Sequence, residues 1–427
     1  MSLPVVGFAG MTHLGINTLA ATAARGFATL GYTPDAALAG QLRAHRMPVV
    51  EPDLDRYIAE NAERIGFTDK AADLAGCDIV YIAADVPTDD GARSDLAPIL
   101  ALIDDVAAHL RDDAVMVVLC QVPPGFTRAI TSVPHARLIY QVETLIFGRA
   151  VERAMFPERF IVGCAAPEAG LPAGYRQVLD SFGCPILPMR YESAELAKIS
   201  INFCLVASVC VANTLAEVSE AIGADWAEIA PALKLDKRIG QFAYLTPGLG
   251  ISGGNLERDL RTVIDIGSAR GTDVGVVEAW IRNSGYRKDW LWRTLRDQVL
   301  AAQPRPRIAV LGLAYKENTH STKNSPSLKL LAQLEGHDVV VHDPVVSPAV
   351  VPWSRGAATV AEAVQGADVL VLATPWPEYR SIEVGQLAAA MDGRIVIDPY
   401  RLIDGPALAA RGFIWHTLGM PPFRPKD

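Results

Sequence analysis

Val5 to Gly15 reads VVGFAGMTHLG, an apolar strand running into a glycine turn and then a helix beginning near Leu14. Such a turn presents backbone N–H groups at the amino end of a helix, where they hold the pyrophosphate of a dinucleotide. Set against the spacing GxGxxG, the outer glycines are Gly10 and Gly15, and Thr12 stands in the middle position. A glycine there lets backbone approach phosphate closely, so Thr12 is expected to crowd it. Gly26 closes the helix and the next strand keeps the βαβ spacing. The end of that second strand is where a carboxylate usually accepts the adenosine ribose hydroxyls. Thr33 takes the nearest position and Asp35 follows two residues later, so Asp35 serves either the ribose or only a turn after Pro34. The chemistry implied is hydride transfer with NAD, and NADP stays open.

Those residues need a sheet to hold them. Short β-branched runs at 5–9, 28–32, 78–83, 114–119, 137–140 and 160–163 alternate with helical patterns, the signature of a parallel, doubly wound sheet. From Ser193 to about Val299 helical periodicity takes over. Strands return at 308–312, 338–342, 369–374 and 395–398, after the linker-like AAQPRPR of 301–307. The expected fold class is α/β, with two Rossmann-like parallel-sheet domains joined by a helical middle domain. Its segments are 1–192 for the dinucleotide, 193–300 for the helices and dimerisation, and 301–427 for a second ligand.

A chain of 427 residues, half of them apolar, exceeds one ordinary core. Its formal charge of -9 argues against nucleic acid or an anionic membrane as partner. The start, MSLPVVGFAGM, lacks the basic opening of a secretory signal. The apolar run 199–216 has membrane-spanning length but contains Asn202 and Asn213, and is read as a buried central helix. Six cysteines, Cys77, Cys120, Cys164, Cys184, Cys204 and Cys210, show no metal spacing. They are read as reduced core residues of a cytoplasmic protein without a metal site.

Longer motifs carry a resemblance. PGLGISGGNLERD, from Pro247, resembles the PGxGxGGxCxxxD loop of the UDP-glucose/GDP-mannose dehydrogenase family, and the register of Pro247, Gly248, Gly250, Gly253 and Asp259 puts Asn255 at the family's cysteine. The EPxL of MPVVEPDLDRYIAEN, the PTDDGARSDL that begins at Pro87 and Thr88, and CQVPPGFT are similar to further family segments, with Gln121 replacing a threonine. VETLIFG keeps Glu143, SAELAKISIN keeps Lys198 and Asn202 one helical turn apart, and LDKRIG keeps Arg238. Toward the end, VLGLAYK with Lys316, NSPS, HDP and ATPWPEYR resemble the elements around the nucleotide, with Lys323 where an arginine is usual.

The resemblance implies a homodimeric enzyme acting on a nucleotide sugar, UDP-linked by preference. It implies catalytic roles for Lys198, Asn202, Asp259 and Glu143, cofactor contacts at Pro87, Thr88 and Gln121, and substrate contacts at Arg238, Gly250, Gly253, Lys316 and Lys323. Arg258 holds a family lysine position and is otherwise read as a surface charge. A carboxamide at 255 cannot add to an aldehyde as a thiolate does. Oxidation of the C6 alcohol is then expected to end in an aldehyde or in redox-neutral epimerisation. Two alternatives stand beside this: four-electron oxidation by a cysteine-free route, and a noncatalytic nucleotide-sugar-binding protein.

Overall fold

The computed structural model describes residues 3–425 apart from 90, 92, 253 and 304. The chain forms two compact units, Met1–Ile201 and Asn202–Asp427. The division falls within the long helix Tyr191–Ile222, which continues from the first unit into the second.

The first unit is built on an eight-stranded sheet. Its strands are β1 (Val6–Ala9), β2 (Thr29–Tyr32), β3 (Ile65–Thr68), β4 (Ile79–Ile82), β5 (Val115–Val118), β6 (Leu138–Gln141), β7 (Phe160–Cys164) and β8 (Ile186–Arg190), in the order β3-β2-β1-β4-β5-β6-β7-β8. All pair in parallel except β6 with β7. The central strands are apolar on both faces because apolar side chains cover each side: Phe8, Leu19 and Tyr81 belong to one layer, Val80, Ile103 and Val118 to the other. Two strands lacked a sequence signal. β3 carries Gly66 in a half-buried edge, and β8 contains Pro188 among its three exposed residues.

The turn after β1 depends on its glycines. Gly10 has φ +100°, and an added Cβ would lie 2.6 Å from the Ala84 Cβ. A Cβ on Gly15 would lie 2.0 Å from the Gly10 carbonyl oxygen. Gly15→Ala therefore forces the helix His13–Ala24 away from β1, at an expected cost of about 3 kcal/mol. An unchanged denaturant midpoint would refute that packing.

In the second unit the helices Trp226–Leu235, Asn255–Ser268 and Gly275–Lys288 follow the long helix. A six-stranded parallel sheet then forms from β9 (Arg307–Leu311), β10 (Asp338–His342), β11 (Arg355–Gly356), β12 (Val369–Leu372), β13 (Ile395–Ile397) and β14 (Ile414–His416), in the order β11-β10-β9-β12-β13-β14. The exposed two-residue β11 and the short β14 were not evident from sequence. Gly312, also at φ +100°, packs on Thr374 much as Gly10 packs on Ala84.

His416 ends β14 in a buried position, and burial pushes its imidazole down from 6.5 to about 4. Below pH 6.5 the unfolded chain takes up a proton that the folded chain refuses until about pH 4. Stability from this group is complete above that window and falls through it, by ~3 kcal/mol in all. His416→Gln is expected to flatten the fall in melting temperature between pH 7 and pH 5, and an unaltered slope would refute the assignment.

Two expectations need correction. The helix Tyr191–Ile222 is not buried throughout: Val211, Leu215, Val218 and Ile222 are exposed, and their spacing aligns them in one stripe. Of the six unpaired cysteines, Cys204 is exposed and Cys184 half-buried, so not all are core residues. Among the described residues no cluster of His, Cys, Asp or Glu is placed to hold a metal ion.

Candidate functional site

In the first unit, the amino end of the helix His13–Ala24 lies beside the carboxyl ends of β1 and β4. Thr12 is its N-cap residue, yet makes no capping hydrogen bond to its own helix, and the first turn contains no acidic residue. Its hydroxyl faces β4 instead, accepting from the Asp85 N–H at 2.9 Å. The Asp85 carboxylate in turn lies within hydrogen-bonding reach of the Thr12 hydroxyl and the His13 N–H. The outer edge of Asp85 is open to solvent, but the protein on its inner side pushes its carboxyl above the usual range. His13 is held by Glu51 at 2.7 Å and stacks on Phe147 at 4.1 Å between ring centres.

Gly10 and Gly15 therefore fit a dinucleotide turn, and Thr12 and Asp85 meet beside the start of its helix. Asp35 caps the helix Ala36–Arg43, with Oδ1 accepting from the N–H groups of Ala37 at 2.9 Å and Leu38 at 3.1 Å. A ribose hydroxyl would have to share that carboxylate. Pro87 and Thr88 lie in the loop after β4, where Thr88 bridges to Ser94.

Glu143 and Lys198 form an ion pair, Nζ to Oε1 2.9 Å, with side chains 14% and 10% exposed. The other Glu143 oxygen accepts from the Leu145 N–H at 2.9 Å. Nearby, Glu195 is fully buried and accepts from the Gly125 and Thr127 N–H groups at 2.6 and 2.8 Å. It thereby fixes the loop that carries Cys120 and the buried Gln121. Burial pushes the Cys120 thiol up to about 12, so Cys120 offers no replacement thiolate.

In the second unit Asn202 donates to Asp259 Oδ2 at 2.5 Å, and both are buried. Arg258 is 5% exposed, which corrects its reading as a surface charge, and its Nε lies 3.8 Å from Asp259 Oδ1. Asn255 is the exposed first residue of the helix Asn255–Ser268. Lys323 lies over the start of that helix, since a Cβ on Gly254 would sit 3.6 Å from its Nζ. Gly250, at φ +79°, has a structural duty: a Cβ there would come within 2.5 Å of the Ser284 carbonyl oxygen. Gly253 lies outside the described residues.

Lys316 lies 5.7 Å from the Tyr315 ring centre. Arg238, with its side chain 89% exposed, folds back on Asp236 at 2.6 Å. The carboxylate of Asp343 accepts from the N–H groups of Leu313 and Ala314 and from Trp376 Nε1, holding together the loops after β9, β10 and β12.

Comparison with known proteins matches residues 4–180 to the UDP-glucose/GDP-mannose dehydrogenase family NAD binding domain, 192–284 to its central domain and 309–405 to its UDP binding domain. The chain belongs to this family. It is similar to the UDP-glucose 6-dehydrogenase of Pseudomonas aeruginosa, 29% identical with 96% of each protein covered. Among solved structures it is similar to a UDP-glucose dehydrogenase from Pyrobaculum islandicum, at 25% identity and a TM-score of 0.81, covering 93% of this chain and 94% of that one. It shares the fold of a UDP-D-ManNAc dehydrogenase from Pyrococcus horikoshii, at 24% identity and a TM-score of 0.84 over 97% and 99% of the two chains.

As a member of this NAD-dependent nucleotide-sugar dehydrogenase family, the chain also contains polar residues that motif reading quoted without assigning them work. Glu51 joins His13 to the N–H groups of Gly148 and Ala150, and Glu195 and Asp343 each organise a loop by accepting backbone N–H groups. The available signal was an acid inside a quoted motif, since a buried acid is seldom without a partner.

Proposed function

We propose that this chain removes hydride from the C6 alcohol of a nucleotide sugar, UDP-linked by preference, and releases an aldehyde or an epimer in place of a cysteine-derived acid. The observation that carries this is Asn255, exposed at a helix start, in a chain that keeps the Lys198–Glu143 and Asn202–Asp259 pairs. Bound NAD supplies the hydride acceptor. In this reading the turn of Gly10, Thr12 and Gly15, the loop of Pro87 and Thr88, Gln121 and a shared Asp35 hold it. Lys198 donates to the alcohol oxygen as negative charge grows there, and Asp259, oriented by Asn202, takes the proton through water. Lys316, Lys323 and Arg238 contact the nucleotide sugar.

Without a thiol at 255 the aldehyde is not held as a thiohemiacetal. It either leaves, or loses its acidified C5 proton and regains one on the other face before hydride returns. A homodimer is part of the proposal, supported by the exposed stripe Val211, Leu215, Val218 and Ile222 and the exposed surface position of Arg238. A cytoplasmic location agrees with six unpaired cysteines. The engagement of Asp35 as a helix cap favours a second reading, a nucleotide-sugar-binding protein without turnover.

The test is the amount of NADH formed per UDP-sugar consumed, with the sugar product identified by NMR. One NADH means aldehyde release, and conversion with none means epimerisation. Two would refute the proposal, and absence of conversion across UDP- and GDP-sugars would leave the binding reading.

A further inference from the structure

The helix His13–Ala24 brings no acid of its own to its first turn and no capping side chain, because the Thr12 hydroxyl is turned toward β4. The anion at this helix end comes from elsewhere in the chain. Asp85, two residues beyond Ala83 on the β4 side, places its carboxylate within reach of the Thr12 hydroxyl and the His13 N–H. Its backbone is fixed there too, by the Asp85 N–H to Thr12 contact at 2.9 Å and by the Ala83 N–H, which donates to the Ala9 carbonyl at 2.8 Å.

An unpaired helix N–H group and the partial positive charge of the helix end attract one anion at a time. A pyrophosphate brought to this turn meets the carboxylate of a residue whose own N–H is bonded to Thr12 at the start of the helix. The charges around Asp85 offset one another: His13, held by Glu51, favours its ionised form, Glu143 opposes it, and Lys198 is paired with Glu143.

We infer that Asp85 is a built-in anion at the phosphate-binding turn, which competes with the pyrophosphate of NAD and keeps the chain's affinity for the dinucleotide low. The inference takes NAD as ligand from the reading above and adds the residue that sets its affinity. Asp85 stands in an exposed loop, so its substitution leaves no apolar core disturbed.

Calorimetric titration of NAD into the full chain tests it, with wild type, Asp85→Asn and Asp85→Ser compared and adenosine as a ligand without phosphate. Thermal melting of the unliganded proteins shows which variants fold, and either variant suffices. Removing one like charge next to the pyrophosphate is expected to tighten NAD binding by about tenfold or more, with adenosine affinity unchanged. Equal or weaker NAD binding by the variants overturns the inference, as does an equal gain for adenosine, which would mean that space and not charge was limiting. Binding by none of the proteins overturns it as well, because the carboxylate is then not what limits affinity. The hydride chemistry is judged separately, by the sugar product.

Discussion

Asn255→Cys is expected to raise the yield from at most one NADH per sugar toward two, with the uronic acid as the new product. The position suits a nucleophile. It is exposed and opens the fourteen-residue helix Asn255–Ser268, and a thiol at a helix amino end ionises more readily than a free one. The Lys323 ammonium near Gly254 adds to that effect. A cysteine there would add to the aldehyde, and the thiohemiacetal would give up the second hydride to become a thioester. The resemblance implies that Gln121 replaces a threonine that helps position the hydrolytic water, so the thioester is expected to accumulate and to be visible by intact mass. Asn255→Cys with Gln121→Thr should then release acid faster than Asn255→Cys alone. An NADH-to-sugar ratio equal to that of the unsubstituted chain would show that position 255 has been misplaced in the loop.

Lys198→Met is expected to lower kcat by about a thousandfold, the loss typical of one donor to a developing oxyanion. The same change takes the Lys198 ammonium from Glu143, which is 14% exposed and bonded to it at 2.9 Å. Removing one partner of such a buried pair costs about 3 kcal/mol, so the melting temperature should fall as well. The two effects are separable. Glu143→Gln combined with Lys198→Met removes the carboxylate charge too, and stability should return while activity does not. Recovery of both together would make Lys198 a structural residue, and a kcat within tenfold of wild type would remove it from the proposed chemistry.

Much of the scaffold was legible in the chain. Buried parallel strands such as Val115–Val118 and Val369–Leu372 are apolar on both faces, so each reads as a continuous β-branched run whatever its neighbours are. Edge strands such as β3 and β8 must blunt an open edge, and their glycine, proline and exposed side chains erase that signal. Glycines were read well for a similar reason. Gly10 needs a positive φ and Gly15 meets the Gly10 carbonyl five residues away, and such local demands leave a local mark, although the atoms that crowd Gly10 belong to the distant Ala84.

By itself the sequence determined the family, the two sheets, the glycine turn and the absence of a cysteine at 255, because these rest on local geometry and on residue identity. The tertiary structure decided how the ionised side chains are shared out. Asp35 caps a helix, Lys198 pairs with Glu143, Arg258 is buried beside Asp259, and Asp85 meets a helix end some seventy residues away in the chain. A charge takes its role from whatever lies within a few ångströms, and for Asp85 and Thr12 that neighbourhood exists only once β1 and β4 lie side by side.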